Sequence, residues 1–342
     1  MRHRIMLPCL LVVVLAACGE SPSAVSPLAP ESAVFHRDRT PTVRQLTSGL
    51  QRGRGSAVGP DGALYVTEAA AGRIARIDPK NGTTSTYASG LPISGSPAGG
   101  AVDVAFRDGT TYALVTLVTP DVGGSSANGI YRMVDAQHFT LFADLGAYSA
   151  AHPPQHVFPY SVHTGVQYAL QPYRGGFLVT DGHLNRVLRV TGDGVISEFI
   201  GFDNIVPTGL EVRGNRIFMA EAGPVPHLAQ NGKVVTFRAG SPTATQIAAG
   251  APLLVDVEFG PGHTLFALSQ GTGSGGPPGT PATPNTGTFL RVNVDGSMTA
   301  LATGLDRPTS VKFIGNTAYI VTLTGIVWAV DGLTGASAKD EG

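Results

Sequence analysis

The chain has 342 residues, 42% of them hydrophobic and 14% charged, with 45 Gly and 25 Pro. So many chain-turners exclude a helical protein, because Gly and Pro cost roughly 1 and 3 kcal/mol inside helices, and the apolar share excludes wholesale disorder. A formal charge of −1 supplies no basic field for nucleic acid.

Arg2 and Arg4 precede an apolar run from Leu7 to Ala17. The run is well short of the about 20 residues that a spanning helix needs, and reads as a cleaved export signal. It ends in Leu15-Ala16-Ala17-Cys18-Gly19, which resembles the lipobox of bacterial lipoproteins. The resemblance implies cleavage before Cys18 and lipid attachment to it. A plain secretory signal with a chance cysteine is the alternative. The other cysteine, Cys9, lies in the removed segment, so the mature chain has no disulfide partner. More than one acyl chain would hold the protein firmly to a membrane. Gly19, which is not Asp, favours the outer membrane in a cell that has two. The expected location is the bacterial envelope, on its periplasmic or surface side. Glu20 to Pro41 is rich in Ser, Pro and Ala and reads as a flexible tether. The expected division is a signal over 1–17, a tether over 18–42, a folded domain over 43–335 and a tail over 336–342.

The first clean unit is Gly59-Pro60-Asp61-Gly62, a tight turn, followed by the strand Leu64-Tyr65-Val66-Thr67-Glu68. The alternating segment Gly72 to Asp78 and then Thr83 to Ala88 give two more strands. The second-strand core recurs at Tyr112-Ala113-Leu114, Phe177-Leu178-Val179, Ile217-Phe218-Met219, Leu265-Phe266-Ala267 and Ala318-Tyr319-Ile320. The central residues lie 48, 65, 40, 48 and 53 positions apart. A period of roughly 40–50 residues with four short strands per unit predicts a β-propeller. The fold class is therefore all-β, a six-bladed propeller of four-stranded blades. A pair of β-sandwiches is the competing architecture. The sixth unit lacks a fourth strand, and Val43-Arg44-Gln45-Leu46 supplies it from the N-terminus. That closes the ring and removes two open edges.

Leu50 to Gly62, Leu64 to Glu68, Pro159-Tyr160, Val179 to Val190 with Asp181 and Asn185, and Val206-Pro207-Thr208-Gly209 carry a family likeness. Over residues 45–330 the chain resembles the ScyD/ScyE family, exported NHL-like propellers linked to scytonemin biosynthesis clusters. It departs from that pattern at Ser161 to Tyr173, an extra stretch. The wider kinship is with streptogramin-lyase-like and gluconolactonase-like propellers. The resemblance implies an exported propeller and assigns no catalytic residues.

Strands alternate in direction, so the turns between strands one and two share a face with those between three and four. These turns are short. The long insertions Thr119 to Asn128, Ala143 to Thr164, Gly223 to Asn231 and Gly271 to Gly287 all fall on the opposite face, which is the expected binding face. Three positions beyond each second-strand centre stand Glu68, Thr116, Asp181, Glu221, Ser269 and Thr322. Asp103 and Asp256 sit on first strands, aligned with Gly55, Gly209 and Ser310. If the acids Glu68, Asp103, Asp181, Glu221 and Asp256 converge on one mouth, they would bind a ligand, hold Ca²⁺ (with Glu68, Asp181 and Glu221 as its ligands) or supply an acid/base pair. Otherwise they cap turns or pair with Arg54, Arg73 or Arg186. His163 and Tyr160, in an insertion rich in His and aromatics, are further ligand candidates, either stacking on a flat or sugar-like molecule or plugging the ring. No P-loop and no nucleophile elbow is present.

Binding is favoured over catalysis. The reading is a lipid-anchored, extracytoplasmic module that captures a small molecule or protein with its loop-rich face. The alternatives are a Ca-dependent lactonase- or lyase-like hydrolase of the gluconolactonase type, for which Asn185 and Asn204 are available, and a structural propeller that docks a partner in an envelope complex.

Overall fold

A strand that is apolar along its whole length needs cover on both faces, and stacking sheets radially around a ring supplies it. The computed structural model describes residues 41–158, 161–277 and 279–334. The expected signal, nearly all of the tether, Cys18, Tyr160 and the C-terminal tail lie outside these.

After β1 (Thr42–Thr47), blade one runs β2 (Gly53–Val58), β3 (Leu64–Glu68), β4 (Arg73–Ile77) and β5 (Thr84–Ser89). Blade two is β6 (Gly100–Arg107), β7 (Thr110–Thr116), β8 (Gly129–Asp135) and β9 (His138–Asp144). Blade three is β10 (Gln167–Tyr173), β11 (Gly176–Asp181), β12 (Arg186–Val190) and β13 (Ile196–Gly201). Blade four is β14 (Pro207–Arg213), β15 (Arg216–Glu221), β16 (Lys233–Phe237) and β17 (Thr245–Ala249). Blade five is β18 (Leu254–Phe259), β19 (Leu265–Ser269), β20 (Gly287–Val292) and β21 (Met298–Leu305). Blade six is β22 (Pro308–Ile314), β23 (Thr317–Thr322) and β24 (Val327–Asp331), completed by β1. The protein is a six-bladed β-propeller of four-stranded antiparallel blades. β1 pairs with β24 from Thr42 opposite Asp331 onward, as the surplus N-terminal strand predicts.

Second strands β3, β11 and β19 are buried at every residue, whereas the fourth strand β5 is mostly exposed. Aromatic rings fill the gaps between neighbouring blades. Tyr65 of blade one meets Phe106 of blade two edge-on at 4.8 Å, and Phe266 of blade five meets Phe313 of blade six at 4.9 Å.

The long connections 117–128, 145–166, 222–232 and 270–286 lie at the ends of the second and fourth strands, on one face. The insertion expected from Ala143 starts two residues later, because β9 continues to Asp144. There Asp144 accepts a hydrogen bond from the Ala147 amide at 2.8 Å and caps a short helix, α1 (Leu145–Ala151). First strands β2, β6, β10, β14, β18 and β22 are innermost, and each carries a register shift near its start. Such a bulge makes two consecutive residues face the same way. This shift lets each strand line the channel at both ends.

Candidate functional site

The bulges divide the central channel into layers. Nearest the loop-rich face stand Arg54, Val102, Tyr168, Thr208, Val255 and Thr309. Deeper lie Gly55, Asp103, Gly209, Asp256 and Ser310. Two residues further along the strands come Ala57, Ala105, Gln171 and Lys312, with Glu211 and Glu258.

The five acids do not meet at one mouth. Glu68 is fully buried in blade one, where Nε and Nη2 of Arg73 grip it and the Gln51 amide donates at 2.6 Å. Asp181 is fully buried in blade three, accepting from the amides of Val166 (3.1 Å) and Leu184 (3.2 Å), with Arg186 Nε at 4.0 Å. Glu221 faces a separate cleft between blades three and four. Only Asp103 and Asp256 share a space. Asp103 accepts from the amides of Val104 and Leu170, and Asp256 from those of Val257 and Val311. Each thus ties its own blade to the next. Each also fills the space over a glycine of the preceding blade, Gly55 or Gly209, where any Cβ would strike the carboxylate. His163 is exposed on the insertion. Among the described residues no group of three or more His, Cys, Asp or Glu side chains is placed to hold a metal. The carboxylates named for Ca²⁺, Glu68, Asp181 and Glu221, sit in three different blades and two are closed by their own partners, so they do not fit that ion.

Around Asp103 and Asp256 the structure gathers Glu211, Glu258 and Lys312, which the sequence reading missed. Period-two alternation would have found them, since they lie two residues beyond Gly209, Asp256 and Ser310. Lys312 Nζ pairs with Glu258. Burial alone would lower the Lys312 pKa, but Glu258, Asp256 and Glu211 outweigh it and hold the ammonium above the usual lysine range. Burial raises Asp103 to about 7, and burial together with the Glu258 charge raises Glu211 to about 8.

The loop-rich mouth has the opposite character. Arg54 donates from Nη2 to the Pro97 carbonyl at 2.6 Å, and among the described residues nothing accepts from its buried Nε. Unlike Arg73 and Arg186, it has no acid within ion-pairing distance among the described residues. Burial lowers its pKa to about 10, against the attraction of Tyr168. Two adjoining cavities of about 90 and 680 Å³ open here, sharing Ala98, Tyr168, His183, Gly279, Thr280 and Pro281. The Gly/Pro/Thr-rich insertion of blade five therefore reaches the channel mouth. The Ala282 amide donates to Gln270 Oε1 at 3.0 Å and holds it there.

Two histidines flank the mouth. His183 Nδ1 accepts from the Val162 amide at 3.4 Å, and burial lowers the ring to about 4, so its proton sits on Nε2. His227 Nδ1 lies 2.7 Å from the Gly223 carbonyl and donates to it; burial lowers this ring too, against the pull of the Gly223 and Ala222 carbonyls. Leu117, Val122, Val162 and Val166 supply apolar walls. The arrangement offers a cation with no acid partner among the described residues, beside two imidazoles and an apolar space.

No family model matches this chain, and no curated protein matches it either. Solved structures do. A PQQ-bound aldose sugar dehydrogenase from Streptomyces coelicolor is similar at 16% identity and TM-score 0.58, covering 85% of this chain and 98% of that one. A gluconolactonase from Xanthomonas campestris is 12% identical at TM-score 0.59, covering 88% and 92%. Virginiamycin B lyase from Staphylococcus aureus is 16% identical at TM-score 0.51, covering 85% and 98%. At such identities the likeness is one of fold: this chain has the six-bladed architecture on which dehydrogenase, lactonase and lyase are all built.

Proposed function

We propose that the protein is an exported, lipid-anchored propeller that captures a small organic anion at the loop-rich mouth of its channel. The observation that carries this reading is Arg54, a half-buried guanidinium with no acid partner among the described residues, set beside apolar cavity walls. A buried cation is costly unless compensated, and a carboxylate-bearing ligand would compensate it with charge-assisted hydrogen bonds. Tyr168, His183 and Gln270 would position the ligand's body. The lipobox-like segment ending at Cys18 and the resemblance to the exported ScyD/ScyE family support the anchored location.

The test is a thermal melt of the purified protein against a panel of aliphatic and aromatic carboxylates. A ligand at a hundred times its Kd adds about 2.7 kcal/mol of stability. The shift should vanish in Arg54→Ala while the unliganded melt is retained. A shift that persists in Arg54→Ala removes this reading. Anchoring is checked separately: Cys18→Ser should end palmitate labelling and release the protein from membranes.

A second reading, turnover at the same mouth, rests on His227, which burial disposes to the neutral form that a base needs. Hydrolysis or elimination of an added lactone or ester that disappears in His227→Ala would favour it over capture.

A further inference from the structure

The end of the second strand meets the start of the third at quasi-equivalent positions around the ring, and three blades place an acid opposite a base there: Glu68 and Arg73, Asp181 and Arg186, Glu221 and Lys233. The first two acids are fully buried and saturated by arginine or backbone amides. The third is different. Glu221 is only 5% exposed, yet among the described residues no donor lies within hydrogen-bonding distance of its carboxylate. Lys233 acts on it through space without forming an ion pair. Both side chains line a cleft of about 610 Å³ between blades three and four, away from the channel. That volume lies within the range of about 300–1,000 Å³ for small-molecule sites.

The rest of the cleft narrows the ligand class. Glu198 approaches from blade three and Gln246 from blade four, while Phe202 offers a half-buried ring. An acceptor-only carboxylate and a donor-only ammonium too far apart to bond directly are both satisfied by a hydroxyl between them. It donates to the first and accepts from the second. Several such polar side chains beside one aromatic ring suit a molecule with hydroxyls on its edge and C–H groups on its face. We propose that this cleft is a carbohydrate-binding site, with Glu221 and Lys233 bridged by sugar hydroxyls and Phe202 against the apolar face of the ring. It is independent of the anion mouth.

The test is calorimetric titration of the full protein in detergent with glucose, galactose, mannose and cellobiose as probes, alongside Glu221→Gln, Lys233→Met and Arg54→Ala. One probe or more should bind saturably. Loss of a charged hydrogen bond should weaken that binding about tenfold in either cleft variant, and Arg54→Ala should leave it unchanged. Glu221→Gln preserves shape, and a wild-type melting temperature shows that it has folded. If it does not fold, Lys233→Met and Phe202→Ala decide alone. No binding at millimolar probe, binding indifferent to the cleft variants, or binding lost in Arg54→Ala would each overturn the assignment.

Discussion

Glu68 and Asp103 show how much a single buried carboxylate depends on its partners. Glu68 has no access to water and is neutralised by Arg73, whose side chain is 32% exposed. Removing one member of such a pair leaves a buried charge uncompensated, which costs about 3–5 kcal/mol, whereas replacing both is far cheaper. Arg73→Ala should therefore lose about 3 kcal/mol in urea denaturation, and Arg73→Ala with Glu68→Gln should recover most of it. An equal loss in single and double variants would show that packing, not charge, sets the cost. Asp103 has a different task, holding the amides of Val104 and Leu170 across two blades. Asp103→Ala leaves both donors unsatisfied, at about 1–3 kcal/mol each. Gly55→Ala should be about as harmful, because the added methyl would land on that same carboxylate. Differential scanning calorimetry on both variants checks the pair.

Among the elements, β1 carries a load out of proportion to its composition. It is largely exposed, and its ion pair, Arg44 with Asp331 at 2.8 Å, is a surface contact. Such pairs contribute about 0–1 kcal/mol, so Arg44→Ala should barely move the melting temperature. Deleting residues 42–47 removes the backbone ladder itself and bares the edge of β24. The truncated protein should melt lower and self-associate with concentration, read by light scattering. A monomeric truncation with an unchanged melt would show that the ring does not need its closure. The six second strands were legible in the sequence because both of their faces are buried, which leaves nearly unbroken apolar cores such as Leu64-Tyr65-Val66. The place of β1 followed from a missing fourth strand. Helix α1 was not legible: the seven residues Leu145 to Ala151 are too few to signal a helix, and Asp144 caps it only once β9 has placed it. The channel residues were hidden for another reason. Arg54 and Gly55 are consecutive yet both line the channel, because the bulge breaks the alternation between them; beyond it the period of two resumes and leads to Glu211, Glu258 and Lys312. The proposed anion mouth draws on residues 54, 168, 183, 227 and 270, which only the closed ring brings together.

At the scale of the whole molecule, the channel is polarised: the Arg54 guanidinium, with no acid partner among the described residues, stands at the loop-rich mouth, and four carboxylates gather around the Lys312 ammonium deeper in. That imbalance makes stability depend on pH. Burial raises Asp103 to about 7, Glu211 to about 8 and Glu221 to about 7, whereas unfolded carboxyls titrate near about 4. Between those values the native protein binds more protons than the unfolded chain, so stability falls as pH rises through this window. Lys312 cannot offset the loss, because its raised pKa matters only in alkali. Exposed acids held low by their own turns, such as Asp135 and Asp295, oppose the trend only in acid, where their stabilisation fades as they protonate. The melting temperature should therefore peak near pH 5, decline to about pH 8 and then level. Glu211→Gln, which removes the most strongly raised of these groups, should flatten the decline and melt above the wild type at pH 8. A flat profile at constant ionic strength, or a Glu211→Gln profile parallel to the wild type, would show that water reaches these carboxylates and that the channel is open from end to end.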